Sequence, residues 1–432
     1  MQLPEDFINY TRPLMGDERF DAYLRSFTEE VPVSIRLNPL KLGTDGSGRH
    51  QAQGQPWLVV DGEPVPWCTE GYYLPRRPQF TMDPLLHAGC YYVQEAASMF
   101  VTHILRQLFT EEIVNSKSVN SKSVNSKSVN SKLLDLCAAP GGKSTAAIAA
   151  MPPGTTLYSN EPIRQRASIL LENITKWGYP GCTVTNSYPK DYRASKLLFD
   201  VILCDVPCSG EGMFRRDPAT IGEWSLQQVE KCWRLQRDIV SDAWACLKPG
   251  GVLIYSTCTF NTKENEENVR WMLTEFGDAE IVPIAIEPQW HIIGSLLEGF
   301  TEPVYRFIPG ITRSEGLFIC ALRKRGVGSE QKPASRRAKS QSAPNILLPP
   351  AMEAAERCEI SYQQAIAYLR GEALQLPPDV PRGPVAVAFQ GHTLGTVKNI
   401  GSRANNQYPK EWRIKTTHVP QDYEPVLIKE SL

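Results

Sequence analysis

Two of the chain's cysteines stand out by their neighbours. Pro207-Cys208-Ser209-Gly210 and Thr257-Cys258-Thr259 each place a thiol among hydroxyls or turn-forming residues, directly after an apolar run. A thiol suits covalent catalysis that must later be undone, because its thiolate both attacks and leaves readily. With an ordinary pKa of about 8.5 it needs polar or positive surroundings to raise the thiolate fraction. Asp205 precedes Cys208 at the end of the same apolar run. The cysteines at 68, 90, 182, 204, 232, 246, 320 and 358 read instead as inert core residues.

A further constellation lies upstream. Leu133-Leu-Asp-Leu-Cys-Ala-Ala-Pro-Gly-Gly-Lys-Ser144 is an apolar run, a glycine turn and a helix start. Backbone amides at such a turn approach a ligand closely, and the helix N-terminus favours negative charge. Gly142-Lys143-Ser144 matches the end of a phosphate-binding loop, but the first glycine of that loop would fall at Cys137. A nucleotide triphosphatase is therefore disfavoured. Glu161 closes the run Thr156–Asn160, where a carboxylate can accept hydrogen bonds from ribose hydroxyls. Turn and carboxylate together suit an adenosine-type ligand.

These residues need elements to hold them. Apolar runs at Leu133–Cys137, Thr156–Asn160, Thr183–Asn186, Val201–Cys204 and Val252–Ser256 alternate with helix-like segments at Gly142–Met151, Ile163–Trp177 and Leu226–Leu247. Such alternation predicts an α/β fold, a doubly wound Rossmann-like parallel sheet with helices on both faces and ligands at the carboxyl ends of its strands. Residues 1–90, with Ser34-Ile-Arg-Leu-Asn-Pro-Leu-Lys41, read as a small α+β element, and 91–325 as the main domain. Residues 350–432 read as a small β-rich domain, with strands in VAVAFQGHTLGTVKNIG and in WRIKT. Within 115–132 the unit NSKSV repeats, too polar to bury a core, and reads as a disordered loop between a helix near Ser98–Phe109 and a strand at Leu133. Residues 326–349 form a linker, and the stretch from about Arg323 to Pro350 that contains it is locally basic, with Arg323, Lys324, Arg325, Lys332, Arg336, Arg337 and Lys339 against Glu330. It reads first as a solvated tether and second as a phosphate contact.

The bulk numbers exclude several classes. A chain of 432 residues with 42% hydrophobic and 22% charged content is ordinary for a soluble, multi-domain globular protein. A net charge of -1 provides no global field for a polyanion, so any such surface is local. The 11 cysteines include no Cys-x-x-Cys pair, so zinc ribbons lack support and no metal is expected. The N-terminal MQLPEDFINY lacks the apolar stretch of a signal peptide, and no run approaches a membrane span, so a cytoplasmic monomer without membrane contact is expected.

The strings CAAPGGKS, DVPCSGEGMFRRDP and YSTCTFNTKENEENV resemble motifs of the Sun family of RNA cytosine carbon-5 methyltransferases. SIRLNPLK and YYVQEAASM resemble that family's upstream elements, and GHTLGTVKNIGSRANNQYPKEW is similar to the PUA-like RNA-binding end domain of its RsmF-like bacterial branch. The resemblance implies S-adenosyl-L-methionine as cofactor and an RNA substrate, small-subunit ribosomal RNA ahead of transfer RNA. It implies attack by Cys258, a base held by Asp205, and release assisted by Cys208. It also implies a cofactor region of Cys137, Ala138, Ala139, Pro140, Gly141, Gly142, Lys143, Glu161 and Asp205. Where relatives carry an acidic residue near the adenine, this chain reads Thr185-Asn186-Ser187-Tyr188, leaving Ser187, Tyr188 or backbone alone for that contact. DNA cytosine methyltransferases also carry Pro-Cys and Glu-Asn-Val, but their early glycine motif is absent, and Glu267-Asn268-Val269 reads as part of a helix. A non-catalytic RNA-binding scaffold is the rival from another class, disfavoured by the intact Cys258, Cys208 and Asp205.

Overall fold

The computed structural model describes residues 3–44, 49–51, 58–118, 131–326, 343–350, 356–416, 418, 420 and 422–429. Two helices open the chain, α1 (Glu5–Met15) and α2 (Asp17–Ser26), with Gly16 between them at φ +75°, a left-handed conformation that favours glycine. Their apolar faces place Phe7, Phe20 and Tyr23 against Phe214, Trp224 and Phe260, which flank the two cysteine segments. An antiparallel sheet follows, with β1 (Val33–Leu37), β2 (Glu63–Val65), β3 (Cys68–Leu74) and β4 (Tyr91–Val93) in the order β2-β3-β1-β4.

Helix α3 (Phe100–Ser118) leads toward the main sheet, running past Phe109 into the first repeat unit. The expected disordered loop is shortened by that much, and residues 119–130 lie outside those described. The main domain then alternates β5 (Lys132–Asp135), α4 (Gly142–Ala150), β6 (Thr156–Asn160), α5 (Arg164–Trp177), β7 (Cys182–Thr185), α6 (Pro189–Ser195), β8 (Phe199–Asp205), α7 (Leu226–Ala245) and β9 (Leu247–Thr257). These five strands are parallel, in the order β9-β8-β5-β6-β7.

Side chains alternate across the sheet because the strand period is two. Leu133, Val201, Leu203, Val252 and Ile254 meet α3, α4 and α5 on one face. Leu134, Ile202, Cys204, Leu253 and Tyr255 meet α6, α7 and α8 (Glu266–Glu275) on the other. Burial on both faces explains why these strands read as near-continuous apolar runs.

The sheet is mixed rather than purely parallel. β10 (Ala279–Val282), β11 (Tyr305–Phe307) and β12 (Leu317–Lys324) extend it antiparallel beyond β9, and β13 (Ile346–Leu347) pairs antiparallel with β7, giving nine strands. Of the basic linker, Lys332, Arg336, Arg337, Lys339 and Glu330 lie outside the described residues.

The last domain holds β14 (Glu356–Glu359), α9 (Tyr362–Leu369), β15 (Gly383–Phe389), β16 (His392–Asn399) and β17 (Ala404–Asn406). WRIKT is not a strand. Lys410–Trp412 is a single 3-10 turn, and Ile414 enters the core while its amide bonds the Leu369 carbonyl at the end of α9. This domain does not pack alone. Cys358, Ile360, Val385 and Val387 share one core with Ile35, Leu37, Tyr72 and Tyr91 of the N-terminal sheet. Leu427–Lys429 also pairs antiparallel with Leu58–Val60. Among the described residues, no helix is long and apolar enough to cross a membrane.

Candidate active site

The glycine turn sits at the carboxyl end of β5. Gly141 caps α4 with φ +114°, a conformation that disfavours any side chain. Lys143 and Ser144, which mimic a phosphate-binding loop, are otherwise engaged. Lys143 Nζ lies 2.9 Å from Asp205 Oδ2, and Ser144 Oγ donates to Asp135 Oδ2 at 2.6 Å. Burial pushes Asp135 up to about 7. Glu161, at the end of β6, is 1% exposed. Its Oε1 accepts from the Ile163 amide at 3.0 Å, while Oε2 lies 3.4 Å from Arg166 Nη1 and accepts no hydrogen bond. A buried carboxylate oxygen without a hydrogen-bond donor, beside a glycine turn, fits a ribose hydroxyl.

The cysteines come from adjacent strands. β8 and β9 run parallel with Asp205 opposite Ser256, so their loops leave the sheet side by side. Cys208 Sγ and Cys258 Sγ are 3.1 Å apart, and the Cys258 amide donates to Cys208 Sγ at 3.3 Å. Both residues are half-buried and neither is in a disulfide. The Cys208 thiol is pushed well above its ordinary value, first by its hydrogen bond to Cys258, then by burial and by the charges of Cys258 and Glu264. Cys208 is therefore held in its thiol form, in a contact where either sulfur can be the donor.

A buried polar lattice fixes this pair. The Gly212 amide donates to the Cys258 carbonyl at 2.8 Å, and the Ser209 and Thr259 hydroxyls are 2.8 Å apart. Glu211 accepts from the Phe260 amide at 2.7 Å, the Asn261 amide at 2.9 Å, Trp224 Nε1 at 3.0 Å and Asn261 Nδ2 at 3.0 Å. Glu264 accepts from the Ser209 amide at 3.1 Å, Gln236 Nε2 at 2.7 Å and Asn261 Nδ2 at 2.8 Å. Burial, with the neighbouring Glu211, raises the Glu264 carboxyl to about 7. Sequence reasoning missed Glu211, Asn261 and Glu264, although all three lie within the motifs around the cysteines.

Asp205 is gripped from both sides, since Ser256 Oγ donates to its Oδ1 at 2.7 Å and Lys143 meets its Oδ2. Burial alone would lower the Lys143 ammonium, but the Asp205 carboxylate, with smaller contributions from Cys258 and Asp135, turns the shift upward. A cavity of about 200 Å³ opens here, lined by Cys137–Pro140, Gly142, Lys143 and Asp205 from the sheet, Tyr92, Gln94, Glu95 and Ser98 from the N-terminal side, and Arg216. Neither cysteine lines it; the cysteine pair lies beside the cavity, where the Cys258 sulfur acts on the Lys143 ammonium. The N-terminal wall was also missed as a site, although YYVQEAASM was noted as a motif. That wall is anchored by fully buried Arg36, whose Nε donates to Gln94 Oε1 at 2.7 Å and Nη2 to Thr145 Oγ1 at 2.5 Å. Gln94 Nε2 donates in turn to the Gly142 carbonyl at 3.1 Å.

Comparison with known proteins adds a separate line of observation. Residues 123–323 match the model of the 16S rRNA methyltransferase RsmB/F family, residues 3–96 the N-terminal domain of 16S rRNA methyltransferase RsmF, and residues 355–414 the methyltransferase RsmF PUA domain. The ribosomal RNA small subunit methyltransferase F of Pectobacterium carotovorum is 30% identical over 424 residues, covering 95% of this chain and 81% of the relative. The chain belongs to the RsmB/F methyltransferase family. A second family relative, from Pectobacterium atrosepticum, is 32% identical over 331 residues, and the match spans 63% of its length, under two thirds. A methyltransferase homolog from Pyrococcus horikoshii has a TM-score of 0.57 and 25% identity, covering 74% of this chain and 94% of that one. NSun6 from the same organism shares the fold, with a TM-score of 0.55 and 20% identity over 74% of this chain and 98% of that one.

Within this RsmB/F methyltransferase, Ser187 and Tyr188 part ways. Ser187 is buried, its Oγ accepting from the Asn345 amide at 2.9 Å, so it anchors the strand that covers the sheet edge. Tyr188 is 60% exposed, as is Ile163 at 54%, beyond the ends of β7 and β6. Glu267-Asn268-Val269 lies in α8, where buried Asn268 bonds Gln236 and Tyr255, a structural task. Among the described residues, no three metal-ligating side chains cluster.

Proposed function

We propose that the protein methylates carbon-5 of a cytosine in small-subunit ribosomal RNA, with Cys258 as covalent nucleophile. The observation that carries this reading is the pair of sulfurs 3.1 Å apart beside the Lys143–Asp205 ion pair. S-adenosyl-L-methionine, held along Cys137–Lys143 and by Glu161, supplies an electrophilic methyl group when bound.

Carbon-5 of cytosine is a poor nucleophile until a thiolate adds to carbon-6. Cys208, which burial and its neighbours keep protonated, lies within hydrogen-bond reach of the attacking Cys258 sulfur. As the Cys258 sulfur bonds to carbon-6, the displaced ring electrons move toward nitrogen 3, which takes a proton from water, and Asp205 accepts the resulting N–H hydrogen bond. Ser256 and Lys143 keep that carboxylate aimed. Once carbon-5 carries the methyl group, its proton leaves to water, the carbon-6–sulfur bond breaks with its electron pair on sulfur, nitrogen 3 gives its proton back to water, and the Cys208 thiol donates a hydrogen bond to the departing thiolate. Residues 91–325 perform this chemistry, while 1–90 and 350–432 hold the RNA, in the cytoplasm and as a monomer. Exposed Tyr188, rather than Ser187, is the side chain available to the adenine.

The two cysteines have unequal consequences. Cys258→Ala abolishes transfer and any covalent complex. Cys208→Ala still forms the bond but releases it poorly, so a denaturation-resistant protein–RNA adduct accumulates. A denaturing gel of each variant with substrate RNA and S-adenosyl-L-methionine reads the difference. An adduct with Cys258→Ala and none with Cys208→Ala reverses the roles, and full turnover by both variants overturns covalent catalysis.

A further inference from the structure

Two consecutive arginines leave the Cys208 loop in opposite senses. Arg215 is buried, its Nε 3.0 Å from Glu315 Oε1 and its Nη1 donating to the Ser26 carbonyl at 3.2 Å. Arg216 is exposed and, among the described residues, makes no side-chain hydrogen bond or ion pair. Its backbone is held, the amide bonding the Met213 carbonyl at 3.0 Å. It lines the same cavity as Asp205, and its charge is felt by Tyr92 on the wall and, more weakly than that of Arg215, by buried Glu315. An unpaired cation thus stands on an anchored backbone at the opening of the space that leads to Asp205.

We propose that Arg216 binds the backbone phosphate of the nucleotide whose base is presented to Asp205 and to the cysteine pair beside this cavity. The inference rests on the methyl-transfer reading above. A cavity of about 200 Å³ has no room for a base pair, so a base reaching Asp205 must leave its stack. Its sugar and phosphate then remain at the mouth, where the exposed guanidinium lies. A guanidinium grips phosphate through two parallel N–H bonds, which a lysine cannot reproduce. Arg215 makes the contrast, since its equivalent fork is consumed by Glu315.

The test compares the full-length wild type with Arg216→Gln and Arg216→Lys. Equilibrium binding of small-subunit ribosomal RNA is measured across a salt series, with S-adenosyl-L-methionine affinity and methyl transfer alongside. Arg216→Gln should weaken RNA binding roughly tenfold and reduce the log–log salt slope by about 0.7, the share of one single-strand phosphate. Arg216→Lys should restore the slope but only part of the affinity, and cofactor affinity should not move. RNA affinity and slope equal to wild type in Arg216→Gln overturn the proposal, as does a parallel fall in cofactor affinity, which puts Arg216 on the cofactor or in the framework of its cavity. RNA binding reads Arg216 even if no methyl is transferred. Absence of transfer by the wild type therefore counts against the function, and an unchanged slope counts against Arg216.

Discussion

Glu211→Gln is the sharpest perturbation of the lattice that holds the two cysteines. The carboxylate is fully buried and accepts four bonds of 3.0 Å or less, two at each oxygen. An amide in its place keeps one oxygen and turns an NH2 toward two N–H donors, whichever way it is rotated. Two hydrogen bonds to a charged group are lost, each worth about 1.5–3 kcal/mol, so the gross loss is roughly 3–6 kcal/mol. Relief of repulsion with Glu264 and of the carboxylate's own burial cost offsets part of this. The net destabilisation should still exceed about 2 kcal/mol, the mark of a broken buried network. Because those bonds join the Cys208 and Cys258 loops, turnover should fall as well. Urea unfolding followed by tryptophan fluorescence, with kcat measured on the folded fraction, reads both effects. A variant within about 0.5 kcal/mol of wild type, the range of an ordinary surface change, and with unaltered kcat would refute the reasoning.

Two further outcomes follow from the same geometry. Glu161→Ala removes a charge-assisted acceptor worth about 1.5–3 kcal/mol and should weaken S-adenosyl-L-methionine binding tenfold or more; unchanged affinity by calorimetry sinks the ribose assignment. The Glu264 carboxyl, raised from an ordinary 4.5 to about 7, binds more protons folded than unfolded between those values, so its contribution to stability falls as pH rises through that window. The stability of wild type relative to Glu264→Gln should therefore decline from about pH 4.5 to 7 and level off above, as read by urea unfolding at several pH values; a flat or rising difference contradicts the buried-acid account.

The readable parts of the molecule are local ones. Val201–Cys204 and Val252–Ser256 are apolar runs ending in polar turns, and both became neighbouring strands that deliver Cys208 and Cys258. Leu317–Lys324 is also largely an apolar run, but such a run without alternation does not announce an antiparallel partner. WRIKT alternates as a strand should, yet its Ile414 amide bonds the end of a helix instead of a ladder. The cavity wall was illegible for a different reason. Arg36 reaches Thr145 across 109 positions of sequence, and nothing local to either residue encodes that approach. The Glu211–Asn261–Glu264 lattice likewise joins loops about 50 residues apart, so its members looked like ordinary polar residues of a motif.

The shared core of the first and last domains also sets a schedule for synthesis. Ile35, Leu37, Tyr72 and Tyr91 are covered in part by Cys358, Ile360, Val385 and Val387, and Leu58–Val60, paired on one side with Arg49–Gln51, gains its second neighbour only in Leu427–Lys429. A ribosome adding about 5–20 residues per second needs roughly 20–70 s to travel from the end of the N-terminal sheet to that last strand. Throughout that interval the nascent chain carries an unfinished apolar face and an open strand edge, both of which promote association with other chains. The N-terminal sheet is thus made well before it can close, and its yield in the cell should depend on what shields it while the ribosome adds the later strands.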